Sequence, residues 1–139
     1  MTEAAVPRFW REIPQRYNLI GNQCGICNKV YFPPRETCPY CRRKSMGRMK
    51  DLKLSGKGKV ETYTIIHEAP ENFEGQAPYA MAIIKLDEGP KLTAQIVDCK
   101  LEDVKIGMAV KSTFRRIQED GDIGAIYYGY KFKPVGEEK

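Results

Sequence analysis

Two pairs of closely spaced cysteines constrain this chain more than any other feature of its sequence. Each pair has the spacing C-x-x-C, and ten residues separate the first pair from the second. A C-x-x-C pair in a tight turn can direct two sulfur atoms toward one point, and two such pairs complete the tetrahedral site of a zinc ribbon. The sequence therefore predicts a metal site whose ligands are Cys24, Cys27, Cys38 and Cys41.

Four thiolates fill the coordination shell of such a metal and leave no position for water or substrate, whereas a catalytic zinc keeps one position open. We therefore expect structural zinc, which stabilises a small subdomain. Iron in a rubredoxin-like site is the alternative, because a tetrahedron of four thiolates also suits iron. Disulfides are disfavoured because no secretory leader precedes the cysteines.

The length of 139 residues favours one domain, or one domain with a small appendage. No run of about 18 or more apolar residues occurs, so neither a membrane span nor a membrane partner is expected. The N-terminal residues lack the basic-then-apolar order of an export signal. The expected location is therefore the cytoplasm, where thiols stay reduced and available to metal.

The formal net charge of +5 is unevenly distributed along the chain. Residues 42–59, the basic segment, contain eight lysines and arginines and a single acid, Asp51. As a solvated linker this segment would only keep the protein soluble. It could also supply cations for the phosphates of CoA or for a nucleic-acid backbone.

Residues 1–16 carry a short helical pattern in which Phe9, Trp10 and Ile13 recur at helical spacing. Such side chains either pack on the body of the protein or dock on a partner, and the sequence leaves both alternatives open. Residues 17–54 are expected to form the ribbon, beginning with an extended segment from Tyr17. Glycines within residues 54–59 mark the junction with a second domain, residues 55–139.

The second domain has the pattern of five β-strands, at residues 60–66, 79–86, 92–97, 109–117 and 125–133. A longer connection between the third and fourth strands fits the OB-fold, and a meander or an SH3-like barrel is the alternative. In the last strand Ile126, Tyr128, Tyr130 and Phe132 are expected to form the core face, opposite Tyr127, Lys131 and Lys133. The predicted fold is thus mainly β: an N-terminal helical segment, a rubredoxin-like zinc ribbon and a C-terminal five-stranded OB-fold barrel.

Several motifs occur in an order that resembles one protein family. They are Arg-Tyr-Asn-Leu-Ile-Gly at 16–21, the two cysteine pairs joined by Tyr-Phe-Pro-Pro-Arg at 31–35, Ala-Pro-Tyr at 77–79, Leu-Asp-Glu-Gly-Pro at 86–90, Ile-Gly at 106–107 and Tyr-Gly-Tyr-Lys-Phe at 128–132. The combination spans residues 8–134. It resembles the acyl-CoA-associated family of zinc-ribbon plus OB-fold proteins, the domain of unknown function 35 type.

This resemblance implies a non-catalytic accessory or scaffold protein beside thiolase-superfamily enzymes or acyl-CoA hydratases. For archaeal members it implies a scaffold that holds acetoacetyl-CoA thiolase against hydroxymethylglutaryl-CoA synthase, with acyl-CoA as a further ligand. The metal ligands of the family correspond to the four cysteines of this chain, and no catalytic residue carries over.

The residues themselves give little support for an enzyme. The single histidine, His67, and the fifth cysteine, Cys99, have no sequence neighbour that would activate them. On charge and position alone, we expect the contacts to CoA to be Arg35, Arg42, Arg43, Arg115 and Lys131, and the residues that dock on a partner to be Phe9, Trp10 and Ile13. The alternative function is a single-stranded nucleic-acid binder, which is less expected because the barrel itself is not basic.

Overall fold

The structure is a computed structural model that describes residues 6–119 and 121–135. The chain begins with helices α1 (Val6–Arg11) and α2 (Ile13–Asn18) and strands β1 (Ile20–Cys24), β2 (Val30–Tyr31) and β3 (Met49–Lys53). Strands β4 (Lys57–Ile66), β5 (Tyr79–Leu86), β6 (Lys91–Ile96), β7 (Ala109–Glu119) and β8 (Ile126–Pro134) follow. Short 3-10 segments lie at Arg42–Ser45, Glu71–Gln76 and Leu101–Asp103. None of the described helices is long and apolar enough to cross a membrane.

The N-terminal segment consists of two short helices. Pro14 lies in the first turn of α2, where its fixed φ and missing N–H begin a helix rather than end one. The second helix continues to Asn18, and Leu19 then ends it with a left-handed φ of 50°. The expectation of an extended segment from Tyr17 is therefore wrong, and the first strand begins at Ile20.

The ribbon is a three-stranded antiparallel sheet in the order β2-β1-β3. Strand β3 lies inside the basic segment, where the sequence indicated no strand. It pairs with β1 along its whole length, from Lys53 opposite Ile20 to Met49 opposite Cys24. The strand is difficult to predict from the sequence, because its charged residues interrupt the apolar alternation by which a strand is recognised. Part of the basic segment is thus a structural element of the ribbon and not a linker.

Strands β4 to β8 form a closed barrel in the order β4-β5-β6-β8-β7, with β7 pairing back onto β4. Neighbouring strands are antiparallel except β6 and β8, which are parallel. The first three strands form a meander and the last two enter in reversed order, which is the Greek-key arrangement of the OB-fold. This order confirms the predicted mainly β fold and excludes both the plain meander and the SH3-like barrel.

One buried core joins the barrel to the ribbon. The barrel contributes side chains such as Ile84 and Phe132, which are fully buried. Phe32 and Leu54, which flank strands of the ribbon, belong to the same cluster. Because apolar burial stabilises by about 25 cal/mol per Å², this shared core holds the two parts against each other.

The last strand differs from the predicted two-face pattern. Phe132 is fully buried and Tyr130 packs beside it, but Ile126 is 45 % exposed. Tyr128 stacks on Phe114, with ring centroids 5.3 Å apart, and does not enter the core. A register shift in β7, opposite this end of β8, accompanies the change.

The opposite face of β8 is covered rather than open to water. Tyr127 is 2 % exposed and lies against the ring of Phe9, with centroids 4.6 Å apart. Lys131, on the same face, is 6 % exposed. Sequence reasoning placed these residues on the outer face, and it could not show that other segments of the chain pack over that face.

Backbone hydrogen bonds hold the chain on both sides of the junction between ribbon and barrel. The N–H of Leu54 donates to the carbonyl of Leu19 (3.0 Å), and the carbonyl of Gly56 accepts from the N–H of Ser112 (2.7 Å). Gly56 has a φ of +76°, and a Cβ there would collide with the Ser112 side chain. Only glycine therefore fits at this point of the junction.

A carboxylate completes the junction. The N–H of Ser55 donates to Oε1 of Glu88, which lies in the turn between β5 and β6, at 2.7 Å. Burial acts to raise the pKa of Glu88, but the hydrogen bonds from Ser55 outweigh this effect and hold the pKa below its ordinary value of 4.5.

We expect Glu88→Gln to lower the free energy of unfolding by about 1 kcal/mol, because a neutral acceptor replaces a charged one. The pKa of Glu88 is lower in the folded state, so its contribution is present above the ordinary value of 4.5 and is lost as the pH falls through the folded-state value. Urea unfolding as a function of pH should show a constant difference near neutrality that shrinks below about pH 4.

The matched control is Glu68→Gln, because Glu68 is an exposed carboxylate outside the junction. It should leave the unfolding free energy within about 0.5 kcal/mol of the parent. A Glu88→Gln difference that persists unchanged at about pH 3 would show that the carboxylate charge does not hold the junction.

Candidate functional site

The ribbon gathers four cysteine sulfurs around one point. All four Sγ atoms lie within 4.8 Å of one another. The distance is 3.8 Å between Cys24 and Cys41 and 3.5 Å between Cys27 and Cys38. A disulfide would need about 2.05 Å, whereas a tetrahedron with Zn–S bonds of about 2.3 Å separates its sulfurs by about 3.8 Å. The geometry therefore fits a metal and excludes the disulfide alternative.

The first cysteine pair lies in the turn between β1 and β2. The carbonyl of Cys24 accepts from the N–H of Asn28 (3.0 Å), and the N–H of Cys24 donates to the carbonyl of Lys29 (2.9 Å). The N–H of Gly25 donates to the carbonyl of Arg48 at 2.9 Å, and a Cβ on Gly25 would lie 2.7 Å from that oxygen. Glycine is therefore needed for the turn to approach the residue before β3.

A buried serine stabilises the turn that contains the second cysteine pair. Ser45 is fully buried, and its hydroxyl accepts from the N–H of Cys38 (2.8 Å) and donates to the carbonyl of Arg42 (2.6 Å). The N–H of Arg42 donates to the carbonyl of Cys38 at 2.8 Å. These bonds satisfy buried polar groups that would otherwise disfavour so tight a turn.

Two side chains of the paired strands β1 and β2 support the site, and sequence reasoning missed both. The Tyr31 hydroxyl lies 3.2 Å from Sγ of Cys38, where it can donate to a thiolate. Asn22 is 5 % exposed. Its Oδ1 accepts from the N–H of Arg35 (3.2 Å), and its Nδ2 donates to the carbonyl of Arg35 (2.5 Å). Asn22 and Tyr31 are opposite each other in the sheet. A correct prediction of the pairing between β1 and β2 would therefore have placed both residues beside the metal site.

Hydrogen bonds favour the thiolate form at two of the four cysteines. Burial acts to raise the pKa of Cys38, but hydrogen bonds from the Tyr31 hydroxyl and from backbone N–H groups of its own turn lower that pKa to about 6. The backbone N–H groups of Cys27 and Ile26 hold the pKa of Cys24 below its usual range. Thiolates are the species that bind metal, so both positions are prepared for it.

Cys41 behaves in the opposite way. Burial, followed by hydrogen bonds to the other three cysteines, raises the pKa of Cys41 to about 12. Desolvation disfavours the negative form of this buried sulfur, and the charge of the neighbouring Cys24 adds to that cost. A divalent metal would remove this cost and deprotonate the last thiol. Four soft sulfur donors with no carboxylate or histidine among them suit zinc in a closed, structural site.

The structure separates the five predicted CoA contacts into two groups. Arg35, Arg42 and Arg43 are exposed on the ribbon, and none of them lines any of the three cavities described for this structure. Arg115 and Lys131 instead line one cavity of about 380 Å³ beside the barrel. Charge and position along the sequence could not reveal this separation, because it depends on the fold of the whole chain.

The three predicted docking residues also differ in their surroundings. Phe9 is half-buried between Tyr127 and the Arg16 guanidinium, whose Cζ lies 4.7 Å from the centre of the ring. Ile13 is half-buried, and Trp10 is 70 % exposed. Phe9 thus fixes the helix to the barrel, and Trp10 faces away from it.

Comparison with known proteins gives two family matches in succession. Residues 11–47 match the rubredoxin-like zinc ribbon domain of ChsH2, and residues 52–115 match its C-terminal OB-fold domain. A DUF35 domain-containing scaffold protein from Methanocaldococcus jannaschii is 59% identical over 97% of this chain and 94% of its own. The chain belongs to the DUF35 family. The four cysteines therefore belong to a zinc ribbon, and both the predicted family and the predicted zinc ribbon are confirmed.

Other relatives and solved structures extend these matches. A DUF35 domain-containing scaffold protein from Methanothermobacter thermautotrophicus is 48% identical over 96% of this chain and 98% of its own. A probable enoyl-CoA hydratase alpha subunit from Thermomonospora curvata is 30% identical over 73% of this chain but only 31% of its own. A chain of the Ltp2-ChsH2(DUF35) aldolase has a TM-score of 0.71, with 25% identity over 98% of this chain and 99% of that one.

We expect Cys38→Ser to release the metal and unfold the ribbon, because a buried ligand is lost and the remaining thiolates repel one another. Metal content should fall from one zinc per chain to well below stoichiometry, as measured by native mass spectrometry. The thermal midpoint should fall by roughly 10 °C or more, since a structural zinc contributes several kcal/mol to folding.

Cys99→Ser is the control, because Cys99 is a half-buried thiol outside the four-cysteine cluster. It should keep the full metal content. If Cys38→Ser kept one zinc per chain and an unchanged thermal midpoint, the metal would not support the ribbon.

Proposed function

We propose that this DUF35 protein is a non-catalytic scaffold for CoA-thioester enzymes of the thiolase superfamily, of the acetoacetyl-CoA thiolase and hydroxymethylglutaryl-CoA synthase type. The observation that carries the proposal is similarity along the whole chain to DUF35 domain-containing scaffold proteins. The end-to-end likeness to a chain of an aldolase complex supports it, and so does the relative that is named a probable enoyl-CoA hydratase subunit.

The chemistry of the described residues supports a role without catalysis. A zinc held by four thiolates has no open position for a substrate. His67 is exposed at the end of β4. Burial, followed by the charges of Asp103 and Asp98, raises the pKa of the Cys99 thiol, so the nucleophilic thiolate is disfavoured. Neither of these two residues is prepared for acid–base or nucleophilic chemistry.

The N-terminal helices present an apolar side chain from a fixed position, which supports partner docking. Arg16 donates to Glu12 from Nε (2.9 Å) and Nη2 (2.5 Å) and also lies over the ring of Phe9. Its hydrogen bond lowers the pKa of Glu12, so the pair stays charged at neutral pH. Trp10 projects from this supported segment at 70 % exposure. An exposed tryptophan on a rigid element is a typical binding hot spot.

The aromatic side chains of the barrel disfavour the nucleic-acid alternative. Tyr128 stacks on Phe114, and Tyr130 contacts the ring of Phe132 with centroids 6.1 Å apart. Bases stack on rings whose faces are open. The stacked faces of Tyr128 and Phe114 are closed to a base, because each ring covers the other.

We expect Trp10→Ala to weaken the complex with the partner enzyme by about 10- to 100-fold, because a hot-spot tryptophan contributes roughly 2 kcal/mol or more. The measurement is gel filtration and titration of the purified full chain with acetoacetyl-CoA thiolase and hydroxymethylglutaryl-CoA synthase from the same organism. The barrel should stay folded, because Trp10 lies outside the buried core.

Ile106→Ala is the matched control, since Ile106 is 69 % exposed on a loop of the barrel. It should leave the complex intact. Failure of the unsubstituted chain to bind either enzyme would overturn the scaffold proposal. Co-purification of RNA that is removed by salt would support the nucleic-acid alternative.

A further inference from the structure

Lys131 is a buried cation without an acidic partner among the residues that the structure describes. Its side chain is 6 % exposed, and Nζ donates a hydrogen bond of 3.2 Å to Oε1 of Gln76, a neutral acceptor. The ion pairs formed within residues 6–119 and 121–135 do not include it. Lysine is almost never fully buried unless it is paired, because desolvation disfavours its charge. An anion beside Nζ would therefore stabilise the charge of Lys131.

The other cations beside Lys131 each form an ion pair with a carboxylate. Arg115 and Arg116 line the same cavity of about 380 Å³. Nη2 of Arg115 lies 2.6 Å from a carboxylate oxygen of Asp98, and Nη1 of Arg116 lies 3.2 Å from one of Glu119. One positive charge, that of Lys131, is left without a partner in the wall of this cavity. A group with a single negative charge would balance Lys131 in this cavity.

A second cavity adjoins the first and has a different character. It has a volume of about 540 Å³, within the range of small-molecule sites, and Ile117, Gln118 and Lys131 line both cavities. Its wall carries a set of aromatic side chains from the helices, the ribbon, the Glu71–Gln76 segment and β8, namely Phe9, Phe32, Phe73, Tyr127 and Tyr130. These rings form the apolar part of the wall, and Lys131 belongs to the same lining. Arg8 and Arg16 also line this cavity, and both bond the carboxylate of Glu12.

We propose that the two cavities together bind an organic carboxylate, with its carboxylate on Nζ of Lys131 and its apolar body among the aromatic rings. Both cavities are lined by residues of this chain alone, so the carboxylate site does not depend on the scaffold role. Burial, followed by the charge of Arg115, lowers the pKa of Lys131. A bound carboxylate counteracts both effects, because it accepts hydrogen bonds from the ammonium group and supplies the opposite charge.

The test compares ligands that share one apolar chain. Zinc-loaded full-length protein is titrated with octanoate, 1-octanol and octyl phosphate in a calorimeter. We expect octanoate to bind one molecule per chain, at least about tenfold more tightly than 1-octanol, because a hydrogen bond to a charged group contributes roughly 1.5 kcal/mol or more. Octyl phosphate should bind more weakly than octanoate. Equal binding of octanoate and 1-octanol, no heat at millimolar octanoate, or preference for octyl phosphate would overturn the proposal.

Substitutions then locate the carboxylate. Lys131→Met keeps the length of the side chain and removes its charge, so octanoate affinity should fall about tenfold while 1-octanol affinity stays within twofold. Lys111→Met is the matched control, because Lys111 is an exposed lysine on β7 that lines neither cavity. Unchanged octanoate affinity in folded Lys131→Met would also overturn the proposal. If that variant does not fold, the comparison of octanoate with 1-octanol on the unsubstituted chain decides the question.

Discussion

Four sulfur atoms within 4.8 Å of one another cannot all be negative unless a cation lies among them. This electrostatic constraint governs the ribbon, whose strands are short and whose second strand has only two residues. A sheet of this size has little apolar area to bury, so bound zinc supplies much of its folding energy. The ribbon in turn contributes Phe32 and Leu54 to the core of the barrel. The coordination of the metal thus supports packing well beyond the cysteines.

The remaining contacts make a rigid body from three dissimilar parts. Phe9 packs the first helix on Tyr127 of the barrel, and Tyr17 of the second helix lies edge-on to Phe114 with centroids 5.1 Å apart. Glu88 and Gly56 fix the junction between ribbon and barrel. Rigidity of this kind suits a protein that positions other proteins, because a partner then loses less conformational freedom on binding.

Local patterns made much of this fold predictable. The C-x-x-C spacing is set by the geometry of one turn, and the barrel strands are rich in β-branched and aromatic residues, so both could be recognised directly. Strand β3 could not, because its pairing with β1 is a long-range contact and its own composition is largely charged. The burial of Lys131 could not be predicted either, because Lys131 contacts Gln76, which is 55 residues away in the sequence. The sequence therefore predicted the cluster of four cysteines, but not the side chains that surround it.

Adjacent residues link the metal site to the larger cavity. The hydroxyl of Tyr31 contacts the sulfur of Cys38, and the next residue, Phe32, lines the cavity and meets the ring of Tyr130 with centroids 5.7 Å apart. One wall of the cavity is therefore attached, through two consecutive residues, to a ligand of the metal site. The tetrahedron of sulfur atoms fixes Tyr31, and the backbone at Tyr31 fixes where the ring of Phe32 begins. The shape of the cavity thus depends in part on the folded ribbon and not on the barrel alone.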